Sequence, residues 1–308
     1  MPSPPPLLTH AHLRSLSPDP PATVAVRNLQ TTLRRSGRDA WGRPRRAQPC
    51  LLSVEVAFRR GFGAAARADR LGRETVHYGL LSKAVLACVE GFEVQTREGE
   101  GPQREESRVR DVLEVVWRRV TGLGLEEDGD AAAGGGGSVA AATGGEALLD
   151  LAAVRFVSVS IGLPKASLLG EEVRLTASAV FDTNRAEGPV EARAMALEIT
   201  RLRVPTLVGM NDNEREAKQF VIATVTVERI SGATDCYTDI ERDVVRQMEA
   251  SSFETLEALG ERLVETVLTS HWAEPAWQVG IRMEKPTAVP MADCPVVEVR
   301  ATADSLRE

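Results

Sequence analysis

The chain has 308 residues, with 37 Lys and Arg against 44 Asp and Glu, for a formal net charge of −7. Hydrophobic residues at 43% and charged residues at 26% exclude a fully disordered chain, and the length favours two domains. The acidic balance argues against a nucleic-acid partner, and 4% aromatic residues argue against stacking platforms for single strands.

Residues 1–22 are expected to form a disordered tail. Seven prolines in Met1–Pro21 work against a helix, and no apolar core of a secretory signal is present. No run of about 18 apolar residues follows anywhere, so no membrane span is expected. Cys50, Cys88, Cys236 and Cys294 are far apart, which reads as small buried side chains in a reducing, cytoplasmic setting. With His10, His12, His77 and His271 they show no metal-ligand spacing, so neither metal nor cofactor is expected.

The first domain, residues 23–182, opens with strands over Val24–Thr31 and Leu51–Phe58. Helices are predicted around His77–Val94 and Arg108–Val120, then strands over Val154–Ile161 and Val173–Val180. Within an insertion over residues 124–148, Gly129–Glu146 is glycine-rich but lacks the Lys-Ser/Thr end of a phosphate loop, so it reads as a linker. The charged runs Arg97–Glu106 and Glu126–Asp130 read as solvated loops. Asp182–Ala192 is polar, with Gly188 and Pro189, and suggests a linker over 183–194.

The second domain, 195–302, repeats the order, followed by a short tail at 303–308. Met195–Val204 and Phe220–Glu228 alternate as strands. Ile240, Val244, Val245 and Met248 mark one helix, and Phe253, Leu256, Leu259, Leu263, Val264 and Val267 a second. Val279–Glu284 and Val296–Arg300 close the unit as strands. The fold class is therefore α+β: an antiparallel ββααββ sheet with two helices on one face, written twice. The uncovered sheet face predicts a homo-oligomer.

Four polar residues stand where elements begin or end: Glu214, Tyr237, Glu257 and Lys285. Singly, Glu214 and Lys285 read as solvated loop and strand-end charges. Glu257 follows Leu256 on a largely apolar helix, where a carboxylate is expected to need a partner or a ligand.

The strings VGMNDNEREAKQ, SFETLEALGERL and RMEKPTAVPMADCPVVEVR give the second domain a resemblance to dihydroneopterin aldolase, of the tunnelling-fold (T-fold) superfamily. ETVHYG, VLEVV and GLPKAS carry a more distant resemblance of the first domain to the same family. The tandem resembles the leading part of fungal multifunctional folate-synthesis proteins, although these 308 residues leave no room for the kinase and pteroate synthase that follow there. The resemblance implies two tandem T-fold domains assembled into a ring or barrel, with pterin sites at domain interfaces. It implies retro-aldol cleavage of 7,8-dihydroneopterin in folate biosynthesis, without metal or Schiff base.

By the same resemblance Glu257, beside Leu256, anchors the pterin, Glu214 and Lys285 are catalytic, and the catalytic tyrosine falls on Tyr237. In the first domain the tyrosine falls on Tyr78, the anchor on Glu114 and the lysine on Lys165, while Arg43 stands where the loop glutamate belongs. Both tyrosines of the chain thus occupy one motif position. The reversed charge at Arg43 implies one competent site, Glu214, Glu257 and Lys285 with Tyr78, and a degenerate one, Arg43, Glu114 and Lys165 with Tyr237. Epimerisation at C2′ of the same substrate or its triphosphate, and pterin binding without turnover, are the alternative outcomes of this constellation.

Overall fold

The computed structural model describes residues 4–72, 75–98, 107–125, 146–186, 188–232 and 235–306. Most of the low-complexity insertion (126–145), most of the charged run ending at Glu106, and Glu74 lie outside the described residues. No helix among the described residues is long and apolar enough to cross a membrane.

The chain divides into two compact units: Met1–Arg38, Arg43–Gly162 and Leu175–Met195 form the first, and Asp39–Gly42, Leu163–Arg174 and Ala196–Glu308 the second. The first contains β1 (Leu7–Leu8), α1 (His10–Ser15), β2 (Ala22–Leu33), β3 (Gln48–Phe58), α2 (Gly63–Ala68), α3 (Tyr78–Glu98), α4 (Val109–Thr121) and β4 (Val154–Leu163). Most of β5 (Glu172–Phe181) and the start of β6 (Val190–Thr206) complete it. The second contains the rest of β6, α5 (Asp212–Arg215), β7 (Gln219–Glu228), α6 (Tyr237–Glu249), α7 (Leu256–Leu268), β8 (Gln278–Glu284) and β9 (Val296–Thr302).

The expected disordered tail instead carries two elements. Leu7 and Leu8 pair in parallel with Arg193 and Ala194 of β6, and Thr9 caps α1 by accepting from the His12 amide. Leu13 is fully buried against Ala57, Phe156, Val180, Ala192 and Ala194. The apolar residues Leu7, Leu8, Leu13 and Leu16 override the prolines, which sit outside the elements themselves. Leu13→Ala should therefore destabilise the chain by about 2–5 kcal/mol. Denaturant unfolding checks this, and a loss below about 0.5 kcal/mol, the scale of a surface change, would contradict the packing.

The linker expected at 183–194 is likewise part strand, because Val190–Thr206 runs as one element with alternating burial. Neither Gly188 nor Pro189 interrupts it, since both precede its first residue.

The two hairpins repeat one irregularity. In β2/β3 the register shifts between Val26 and Leu29, with Asn28 at a φ of 53° and its amide donating to Ser53 Oγ at 2.9 Å. In β6/β7 it shifts between Ile199 and Leu202, with Arg201 at a φ of 54° and its amide donating to Thr224 Oγ1 at 3.2 Å. Each is a bulge whose left-handed residue is held by a hydroxyl on the facing strand. The ladders also end alike, on Leu33–Gln48 and Thr206–Gln219.

In the second unit β6, β7, β8 and β9 are consecutive neighbours. The stripe Leu256, Leu259, Leu263 and Val267 buries α7 against β8 and β9. A Cβ on Gly260 would come within 2.7 Å of Val299 Cγ2 and 2.9 Å of Met283 Cε, so glycine permits the close helix–sheet approach. Three cysteines are buried and none is disulfide-bonded, and burial pushes the thiols of Cys88 and Cys236 up to about 12.

Candidate active site

Strand alternation places the lysine. Val279, Ile281 and Met283 are fully buried, and Lys285, two residues beyond Met283, continues their parity and is only 5% exposed. An ammonium so placed needs acceptors. Lys285 Nζ donates to Glu214 at 2.5 Å and to the Val208 carbonyl at 2.9 Å.

Glu214 is prepared for this by its own turn. Asn211 and Glu214 form a capping box on α5, with Glu214 Oε2 accepting from the Asn211 amide at 3.2 Å and from its side chain at 2.9 Å. The other oxygen, Oε1, accepts from Lys285. A Cβ on Gly209 would collide with the Glu214 side chain, so that position must remain glycine for the loop to close.

The hydrogen bond from Lys285, followed by that from the Asn211 amide, pulls the Glu214 carboxyl from 4.5 down to about 2. A depressed pKa contributes stability that is present above 4.5 and lost as pH falls through 2. The stability difference between the chain and its Glu214→Gln variant should hold from pH 7 to pH 5 and shrink between about pH 4.5 and 2. Parallel unfolding titrations test this; a pH-independent difference would contradict it.

The same loop reaches the start of α7. The Gly209 amide donates to the Phe253 carbonyl at 3.3 Å, and Ser251 Oγ donates to the Leu207 carbonyl at 2.8 Å. Arg215 straddles the junction, donating to Gly209 at 3.1 Å and to Ser252 at 3.2 Å. Thr255 caps α7 through the Ala258 amide, and Glu257 occupies the second helical position, where the helix dipole favours an anion. Lys285, Glu214 and the α7 terminus are thus tied to one stretch, Leu207–Arg215.

The expectation that burial forces a partner on Glu257 is wrong: Glu257 is exposed. Leu256, Leu259, Gly260 and Leu263 form the buried stripe, and Glu257 lies one position, about 100°, round the helix from Leu256. The Val208 carbonyl, Asn211 and Arg215 were not read from the sequence. The Asn-x-x-Glu capping pattern was the available signal for Asn211.

Tyr78 and Tyr237 each open the first helix of the pair in their own unit, α3 and α6. Their surroundings differ sharply. Tyr78 is 68% exposed beside His77, whose Nδ1 accepts from the Gly79 amide at 2.9 Å, whereas Tyr237 is 2% exposed.

The members of the second expected set lie on separate segments of the chain. Arg43 is exposed in the first unit, and Lys165 is exposed in the Leu163–Arg174 segment of the second. Glu114 bonds to Arg118 and to the Leu125 amide, partners close in sequence. Gln219 donates to the Glu214 carbonyl, but Gln48 donates to Arg38 rather than Arg43, so the two loops take different courses. A buried glutamate, Glu93, organises the first-unit loop by accepting from the Arg34 and Arg35 amides and Ser36 Oγ.

Residues 197–302 match the family model of FolB, dihydroneopterin aldolase. No curated protein matches the chain. Among solved structures, Escherichia coli dihydroneopterin aldolase in complex with neopterin is 24% identical, with a TM-score of 0.31, over 34% of this chain and 97% of that one. A dihydroneopterin aldolase of Burkholderia thailendensis bound to guanine is 18% identical, with a TM-score of 0.29, over 36% of this chain and 93% of that one. A uricase of Bacillus fastidious covers 94% of this chain and 96% of its own at 7% identity and a TM-score of 0.54, a likeness of fold alone.

Proposed function

We propose, from a C-terminal stretch that matches the dihydroneopterin aldolase family over residues 197–302, that the chain cleaves 7,8-dihydroneopterin. The products are 6-hydroxymethyl-7,8-dihydropterin and glycolaldehyde. The observation that carries this reading is the buried Lys285 ammonium paired with Glu214 on a loop bonded to the start of α7.

Glu257, exposed at that helix start, receives the pterin's amino group and ring N–H in a charge-assisted pair. The C2′ hydroxyl then loses its proton, the C1′–C2′ bond breaks, and its electrons move into the pterin N5=C6 bond. Glycolaldehyde leaves, and C1′ is protonated to give the hydroxymethyl group. The pterin is its own electron sink, so Lys285 forms no covalent adduct. Lys285 and Glu214 hold a water that relays the proton, and a tyrosine completes the relay. Tyr78, exposed at the start of α3, is the assigned donor.

The tandem reading, two T-fold domains in one chain, is supported by the bulge that recurs at Asn28 and Arg201. Glycolaldehyde among the products of 7,8-dihydroneopterin establishes cleavage. Dihydromonapterin alone would assign the site to epimerisation at C2′, and borohydride trapping of substrate on Lys285 would overturn the adduct-free mechanism.

A further inference from the structure

A cavity of about 530 Å³ opens on the second unit, on the face of the sheet opposite the helices. Its size is that of a small-molecule site. Arg203, Phe220 and Ile222 alternate with the buried Leu202, Val204, Val221 and Ala223, so the cavity lies across the sheet from Lys285. The neighbouring positions on this face, Thr224, Arg282 and Glu284, are polar, but here Phe220 is 47% and Leu169 39% exposed. The apolar patch thus interrupts an otherwise polar surface.

Its charges are not balanced. Arg201 is committed to Glu171 and Glu284, each at 3.0 Å. Lys218 donates to the neutral Glu249 carbonyl at 2.6 Å and has no carboxylate partner among the described residues. Arg203 has no carboxylate partner among the described residues; its guanidinium lies 4.2 Å from the centre of the Phe220 ring. The wall is fixed in place. Buried Glu241 accepts from the Leu168 and Leu169 amides, and the Arg203 amide donates to the Leu169 carbonyl at 3.1 Å.

We propose that this cavity binds a small organic anion, a carboxylate or phosphate ester carrying an apolar body. The body rests on Phe220, Ile222 and Leu169, and the anion takes the guanidinium of Arg203 with Lys218 at the rim. The inference stands independently of the aldolase reading.

Calorimetric titration of the full chain with phenyl phosphate, benzoate, benzyl alcohol and inorganic phosphate tests it. At least one aryl anion should bind, and the tighter of the two identifies the headgroup. Benzyl alcohol and inorganic phosphate should each bind about tenfold more weakly or worse, since each lacks half of the recognition. Arg203→Gln should weaken the aryl anion by about tenfold or more, as expected for loss of a charge-assisted bond, and Arg203→Lys by less. Glycolaldehyde release from dihydroneopterin should be unchanged in both variants, which separates this test from that of the catalytic reading. Absence of binding by either anion, equal binding of benzyl alcohol, or wild-type affinity in Arg203→Gln would overturn the proposal.

Discussion

Replacing Lys285 with methionine should lower kcat for dihydroneopterin cleavage by about 10²–10⁴-fold, the range of a lost proton-transfer group. Methionine suits the site because the lysine stem continues the buried row of Val279, Ile281 and Met283. The substitution leaves Glu214 without its cation, but that side chain is 20% exposed and keeps its bonds to Asn211. Pterin binding should be largely retained, since Glu257 is untouched, so the loss belongs in kcat rather than KM. Adding Glu214→Gln to Lys285→Met should cost much less than the sum of the single effects, because the two residues act as one bonded unit. A kcat within about threefold of the parent would remove Lys285 from the chemistry.

The two tyrosines should separate just as clearly. Tyr78→Phe is expected to reduce kcat by about 10²-fold or more, with unfolding unchanged, because the ring is 68% exposed. Tyr237→Phe removes a hydroxyl from a residue 2% exposed and should cost about 0.5–1.5 kcal/mol of stability with activity kept. Initial rates and denaturant midpoints measured side by side distinguish the two roles. Loss of activity confined to Tyr237→Phe would reverse the assignment of the tyrosines.

The main elements of both units were legible because period-2 alternation and helical stripes are strong there: Leu51–Phe58 and Val279–Glu284 fall within the strands observed. The tail was misread because proline content was weighed and long-range packing was not. Leu13 has no local pattern to reveal it, and its partners, from Ala57 to Ala194, are distant in sequence. The expected burial of Glu257 failed because a single helical step separates a buried position from a solvated one. The Lys285–Glu214 pair joins residues 71 apart in sequence. Spacing cannot supply that contact; the parity of β8 and the capping box at Asn211 do. Alignment placed Arg43 opposite Glu214, but the Gln48 and Gln219 bonds show loops of different course from matching ladder ends.

The most direct test of the central claim is a single-turnover incubation of purified chain, in excess, with 7,8-dihydroneopterin, quantifying glycolaldehyde against pterin consumed. One glycolaldehyde and one 6-hydroxymethyl-7,8-dihydropterin are expected for each substrate, with both lost in Lys285→Met. Pterin bound but recovered unchanged would contradict it.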